Sequence, residues 1–372
     1  MDPVRTFLQT FGAPPEVTRF APGRVNLIGE HTDYNGGYVL PCALSMGVTC
    51  LCRRREDRKL RLYSLDFPDD GIVELDASEP ELGGRWTDYP AAVVRSLAVF
   101  GAPLTGGADL MFKGSVPPGS GLSSSAALEV ATGMALSDAF GLGLSGSELA
   151  RIGQLAENRF IGVNCGIMDQ FASALGTPYN AMLLNTQTLE YSFTPIDLSR
   201  AVPVIVNSMV KHSLASSAYN DRRRECEAAL SALKSRLDKP TLCAYTPEEF
   251  ESIGGVIADE TVYRRARHVI SENDRTLKAA EALRENRLND FGRLMNLSHA
   301  SLRDDYEVSC PELDFLAETA QNAEGVFGAR MTGGGFGGCT VNLVEPDRVE
   351  SFVGMIRSAY LKRFGVEAKA YI

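Results

Sequence analysis

Gly114-Ser115-Val116-Pro117-Pro118-Gly119-Ser120-Gly121-Leu122-Ser123-Ser124-Ser125-Ala126-Ala127 follows a strand-like run, Ala108–Phe112, and leads into a helical pattern, Ala126–Phe140. Pro117-Pro118 ends the strand, and Gly119 and Gly121 permit a tight turn. Three serines then open the helix. Unpaired backbone N–H groups, the positive end of the helix dipole and hydroxyls coincide there, which are the elements of a phosphate site. The loop lacks the Gly-Lys-Ser/Thr of a Walker A motif, and Ser124 stands where a dinucleotide fingerprint needs its third glycine. A turn closed by a serine N-cap is the structural alternative, and spacing alone leaves it open.

Two more clusters flank this loop in the chain. Upstream, Gly23-Arg24-Val25-Asn26-Leu27-Ile28-Gly29-Glu30-His31-Thr32-Asp33-Tyr34-Asn35-Gly36-Gly37 places Arg24, Glu30, His31 and Asp33 within ten residues. All four suit hydroxyls or phosphate oxygens. A solvated loop is the ordinary reading of such a turn, but Val25, Leu27-Ile28 and Val39-Leu40 frame it, so its polar groups are expected to line a pocket. Downstream, Arg330-Met331-Thr332-Gly333-Gly334-Gly335-Phe336-Gly337-Gly338-Cys339 is half glycine. It reads as a flexible turn before a strand or as backbone shaped for close approach to a ligand. Asp290-Phe291-Gly292 spells a protein-kinase motif by chance: it lies in a helical pattern with no catalytic loop upstream, so Phe291 is expected in the core.

Around these clusters the chain mixes strands and helices without strict alternation, which favours α+β over a doubly wound sheet. Strands are expected at Val39–Cys52, Leu60–Tyr63, Gly71–Leu75, Leu183-Leu184, Val202–Val206, Cys339–Leu343 and Glu367–Ile372. Helices are expected at Ala91–Phe100, Ala126–Phe140, from about Ser217 to Leu237, Val262–Arg284, Asp290–Arg303, Glu312–Ala323 and Val349–Phe364. Ser145 with Glu148 three residues on is a capping box that starts a further helix. Tyr219 falls on the apolar stripe of its helix with Cys226, Leu230, Leu233 and Leu237. Arg222, Arg223 and Arg224 read as a solvated face. A boundary near residue 200 divides the 372 residues into 1–200 and 201–372.

Taken in order, the three clusters resemble the signature motifs of the galactokinase–homoserine kinase–mevalonate kinase–phosphomevalonate kinase (GHMP) superfamily and, within it, those of the galactokinase family. Cys165-Gly166-Ile167-Met168-Asp169-Gln170-Phe171, Arg222–Cys226 and Ser301-Leu302-Arg303-Asp304-Asp305-Tyr306 also match, so the resemblance covers nearly the whole chain. It implies an N-terminal mixed-sheet domain like domain 2 of ribosomal protein S5, and a C-terminal domain of antiparallel sheet plus helices. It implies transfer of the γ-phosphate of ATP to the anomeric hydroxyl of α-D-galactose. By the same resemblance Asp169 and Arg24 are catalytic, and Glu30, His31, Thr32, Asp33, Gly166 and Tyr219 hold the sugar. Gly119, Ser120, Gly121, Leu122, Ser123, Ser124 and Ser125 wrap the nucleotide phosphates, and Trp86, the single tryptophan, sits on the adenine side. Glu157 with Ser125, or with its neighbour Ser124, holds Mg²⁺. Alternatives are a kinase of N-acetylgalactosamine or arabinose, or a catalytically silent galactose sensor. The complete serine loop and Asp169 weigh against the sensor.

Composition narrows the partners. Acidic residues outnumber basic ones 47 to 37, a net charge of −10, and a protein that grips a polyanion wants a basic face. Nucleic acid is therefore not expected, whereas one Mg·ATP needs only a local site. No apolar run approaches a membrane span, so no membrane helix is expected, nor is a secretory signal. The eight cysteines lack C-x-x-C spacing and read as reduced, mostly buried thiols in a cytoplasmic protein. His212, His268 and His299 read as structural, and a monomer is the expected state.

Overall fold

The structure, a computed structural model, describes residues 2–117, 119–210 and 215–372, the side chains of 215–217 apart. Pro118 and His212 lie outside the described residues. The chain forms two compact units, each built from interleaved segments: Met1–Arg24, Leu44–Pro118 and Ser123–Gly176 in one, Val25–Ala43, Gly119–Leu122 and Thr177–Ile372 in the other.

The first unit has a mixed sheet. Gly107–Gly114 runs antiparallel to Pro41–Arg55 and parallel to Lys59–Ser64, which pairs in turn with Val73–Asp76. Gly107 to Phe112 is buried without alternation, as a central strand requires. Its one charge, Asp109, is fully buried and answered by Arg61 at 2.6 Å and Arg55 at 3.2 Å. Helices Asp88–Val99, Ser124–Phe140 and Gly146–Leu155 share a core with this sheet, in which Val93, Leu97, Val130, Leu136 and Ile152 meet Cys50, Leu62, Leu110 and Phe112. The Ser145–Glu148 capping box forms as its spacing predicts.

The second unit carries a four-stranded sheet in the order Val326–Thr332, Cys339–Val344, Val202–Asn207, Lys369–Tyr371, antiparallel throughout. Helices Ala215–Lys234, Glu260–Arg284, Leu288–Asp304, Pro311–Gln321 and Val349–Phe364 accompany it. The α+β class with one mixed and one antiparallel sheet is therefore borne out. Phe291 is a core residue, and Gly292 shows why that helix carries glycine: a Cβ there would stand 1.9 Å from the Phe327 carbonyl oxygen. Gly292→Ala gains up to ~1 kcal/mol of helix propensity but incurs overpacking of ~1–3 kcal/mol against backbone that cannot rotate away. We expect net destabilisation, read as a lower denaturation midpoint at an unchanged slope; equal or higher stability contradicts this close packing.

Some elements carry no strong pattern. Helix Met168–Leu175 is only eight residues long, and Tyr191–Pro195 is an exposed strand with no buried face to impose alternation. Arg222 does not lie on a solvated face: its guanidinium donates to the carbonyls of Tyr306 at 2.7 Å and Glu307 at 3.1 Å. Six cysteines are buried, two are half-buried, and none forms a disulfide among the described residues. Among the described residues no helix is long and apolar enough to cross a membrane.

Candidate active site

In the first unit the serine loop meets the Asp169 segment. Ser123 adopts a left-handed backbone (φ 59°) at the N-cap of Ser124–Phe140, and its side chain makes no capping bond. Its hydroxyl instead donates to Asp169 Oδ2 at 2.6 Å. The serine-cap alternative is thus corrected: the Ser123 side chain caps none of the first N–H groups of this 17-residue helix, and its hydroxyl is spent on a carboxylate. Arg24 completes the triad. Its Nε donates to Asp169 Oδ1 and its Nη2 to Oδ2, both at 2.8 Å, a bidentate fork. Ser173 Oγ donates to Pro22 O at 2.7 Å, tying the Asp169 helix to the strand that presents Arg24. Arg24 is 4% exposed and Asp169 32%, so the carboxylate is the accessible member.

Behind Asp169 lies a second acidic layer. Glu157 stands on a π-helical turn, Ala156–Ile161, a widened turn of the kind that often marks functional sites. Its Oε1 accepts from Ser125 Oγ at 3.4 Å and its Oε2 from Gln170 Nε2 at 2.8 Å. Gln170 Nε2 also donates to Glu129 Oε2 at 3.1 Å. Burial, with the Asp169 carboxylate as second cause, pushes Glu157 up to about 7. Glu129 is driven well above the usual carboxylate range by burial and then by Glu157. Gln170 and Glu129 were not singled out from sequence, although a lone glutamate inside the apolar helix Ser124–Phe140 is a usable signal. Trp86 lies in the same unit, its ring parallel to that of the exposed Phe67 with centroids 6.4 Å apart, and its Nε1 donating to Asp70 at 2.9 Å.

The second unit holds the Glu30 turn. Glu30 is buried and accepts from Gly333 N at 2.5 Å and from the Asn26 side chain. Thr32 Oγ1 contacts the carbonyls of Tyr38 (2.7 Å) and Gly29 (2.9 Å), so its proton is spent inside the turn. His31, at φ 64°, packs its ring 5.4 Å from Tyr219 and 4.7 Å from Tyr306, and its Nδ1 lies 2.8 Å from Tyr34 Oη. Burial first, then His268 and Arg222, hold its pKa well below the ordinary histidine value, so the imidazole is neutral. Asp33 is half-buried beside Tyr34, and its Oδ1 accepts from the Tyr34 backbone N–H at 3.1 Å.

The glycine-rich turn serves the same unit. Gly338 has φ 85°, and a Cβ there would stand 2.9 Å from Ser120 O. Two of the glycine-bearing loops therefore pack backbone against backbone. Each of the three motifs holds one non-glycine residue in left-handed backbone, His31, Ser123 and Phe336. Such strain costs ~1–3 kcal/mol apiece and collects at functional sites. Gly166, in the loop before Met168–Leu175, is buried.

Residues 88–177 match the GHMP kinases N terminal domain and 279–362 the GHMP kinases C terminal domain. A mevalonate kinase from Methanococcus jannaschii, 18% identical, superposes with a TM-score of 0.65 over 95% of this chain and 96% of that one, a likeness of fold. The chain is thus a kinase of the GHMP class. Residues 5–54 match the galactokinase galactose-binding signature. A galactokinase of Ligilactobacillus salivarius is 47% identical across 98% of this chain and 95% of its own length, and one of Bacillus subtilis 46% across 95% and 91%. The crystal structure of Lactococcus lactis galactokinase complexed with galactose superposes with a TM-score of 0.95 at 44% identity, over 99% of this chain and 96% of that one. The chain belongs to the galactokinase family.

Proposed function

We propose that this chain transfers the γ-phosphoryl group of Mg·ATP to the anomeric hydroxyl of α-D-galactose, releasing ADP and α-D-galactose 1-phosphate. The observation that carries this reading is the Ser123–Asp169–Arg24 triad, which fixes a bidentately held carboxylate beside the start of a helix that the Ser123 side chain does not cap. Phosphoryl transfer is chiefly a matter of positioning and charge neutralisation. In this account Asp169 accepts the hydrogen bond of the 1-hydroxyl and takes its proton as the bond from O1 to the γ-phosphorus forms. The bond from that phosphorus to the β–γ bridging oxygen breaks, and ADP departs. Arg24 holds Asp169 in place and offsets negative charge on the transferring group. Residues 119–125 supply N–H groups and hydroxyls to the phosphates, and Trp86 with Phe67 offers a stacking face to the base.

Ser125 and Glu157 suit Mg²⁺, which takes few protein oxygens and leaves its other positions to phosphate and water. When bound, the metal neutralises charge on the β- and γ-phosphates. Glu30, His31, Asp33, Gly166 and Tyr219 are assigned to the sugar, with Thr32 shaping the turn. The substrate name rests on the likeness to galactokinases and to a galactose complex. Asp33→Ala tests it. Loss of a charge-assisted hydrogen bond is expected to raise the galactose KM about 10–100-fold while the ATP KM stays within about twofold. Equal effects on both would argue against the assignment.

A further inference from the structure

Beneath the Glu30 turn lies a set of charged side chains that the proposed reaction does not use. Arg330 is fully buried; its Nη1 donates to Asn26 O at 3.1 Å and stands 3.5 Å from Glu30 Oε1, while its Nε and Nη2 find no hydrogen-bond partner among the described residues. Glu272, on helix Glu260–Arg284, is also fully buried and accepts from Gly29 N at 3.0 Å, Ser298 Oγ at 2.6 Å and Arg275 Nε at 2.8 Å. His268 Nε2 lies 3.2 Å from Glu30 O, and burial lowers its pKa to about 4, so it stays neutral. The groups around Glu30 are thus Arg330 from the strand, Glu272, Arg275 and His268 from the helix, and His31 from the turn itself. Arg222 also acts on His31, and Asp305 on His268, so charges of both signs face the two neutral imidazoles.

We propose that Arg330 and Glu272 are positioning residues for sugar recognition: Arg330 holds Glu30 as a carboxylate aimed at the sugar hydroxyls, and Glu272 clamps the Gly29 N–H that sets the turn. The clamp acts where only glycine fits, since Gly29 has φ 101° and a Cβ would stand 2.8 Å from Tyr38 O. Arg330 has no other evident purpose in proportion to its cost. Burying a guanidinium forfeits several kcal/mol of hydration, and replacing a buried ion pair by apolar side chains often stabilises a protein. A fold needing only packing at this point has cheaper solutions, whereas a sugar site needs an ionised, fixed acceptor. The inference rests on the galactose reading above.

The test measures galactose KM, ATP KM and kcat between about pH 6 and pH 8.5 for wild type, Arg330→Met, Arg330→Lys and Glu272→Gln, with melting curves for each. Wild type is expected to show a flat galactose KM over this range. Arg330→Met is expected to raise it about 10–100-fold with kcat and ATP KM within about threefold, because a charged hydrogen-bond network is lost. The rise is expected to be largest at the acid end, where an uncompensated buried carboxylate takes up a proton. Arg330→Lys should recover most of the loss at every pH, which simple packing damage would not allow. If Arg330→Met does not fold, Glu272→Gln carries the test with a galactose KM raised about 5–10-fold and ATP KM unchanged. A galactose KM within twofold of wild type in these variants, or equal losses for both substrates, overturns the inference. A wild type that phosphorylates no galactose overturns the functional reading instead, so the two failures are distinguishable.

Discussion

Asp169→Asn is expected to lower kcat by ~10³ or more while Mg·ATP still binds. The substitution keeps size and lets one oxygen accept from Arg24, but it removes the negative charge that receives the hydroxyl proton. Asn is the informative choice over Ala. Arg24 is 4% exposed, and Ala would strip away both acceptors of its bidentate fork, a loss that costs ~3–5 kcal/mol of stability where a buried ion pair is broken. The Ser123 hydroxyl, 2.6 Å from Asp169 Oδ2, supplies an internal control. Ser123→Ala leaves the Arg24–Asp169 fork intact and should cost far less, about 10-fold, as loss of one charge-assisted hydrogen bond. Near wild-type kcat in Asp169→Asn, with the variant folded, would remove Asp169 from the chemistry.

Glu157→Gln is the second large effect, expected at about 10²–10³-fold in kcat/KM for Mg·ATP. Its pH dependence has a definite sign. Burial and the neighbouring Asp169 raise Glu157 to about 7 in the folded protein. Folding therefore favours its protonated form, and the stability this confers is complete below the ordinary carboxylate range and lost as pH rises through about 7. Cation binding needs the ionised form, so below about pH 7 it must expel a proton. Affinity for Mg·ATP should strengthen as pH rises toward 7 and level off above it. Calorimetry in buffers of different ionisation enthalpy should show up to one proton released at about pH 6 by wild type and fewer by Glu157→Gln. Identical proton release by both would exclude Glu157.

Much of this was readable from residue order, for physical reasons. Glycines at 119 and 121, three serines and a helix start are neighbours in the chain, so the elements that suit a phosphate are visible locally. The capping box at Ser145 and the apolar stripes of the long helices are equally local. What pattern reading misses is set by long-range pairing. The Ser123 hydroxyl reaches a residue 46 positions away, and that reach replaces the alternative of a helix cap with a triad. Arg330 lies 304 positions from the Asn26 carbonyl it bonds, and in sequence it only opens a glycine-rich stretch. Ser124 and Ser125 are likewise indistinguishable in the run of serines, and only the fold puts the Ser125 hydroxyl 3.4 Å from Glu157. Arg222 misled because a run of arginines gives no hint that one will turn inward to backbone carbonyls.

The central claim is that the Asp169–Arg24 pair serves phosphoryl transfer to the anomeric oxygen of galactose. The most direct measurement is phosphorus-31 NMR of the product formed from galactose, ATP and Mg²⁺, run beside an ADP-release assay on a panel of monosaccharides. The account predicts one phosphomonoester, coupled to the anomeric proton in the α configuration, formed in step with ADP and absent with Asp169→Asn. A phosphate on any other hydroxyl, or ADP release with galactose no faster than without it, would contradict the account.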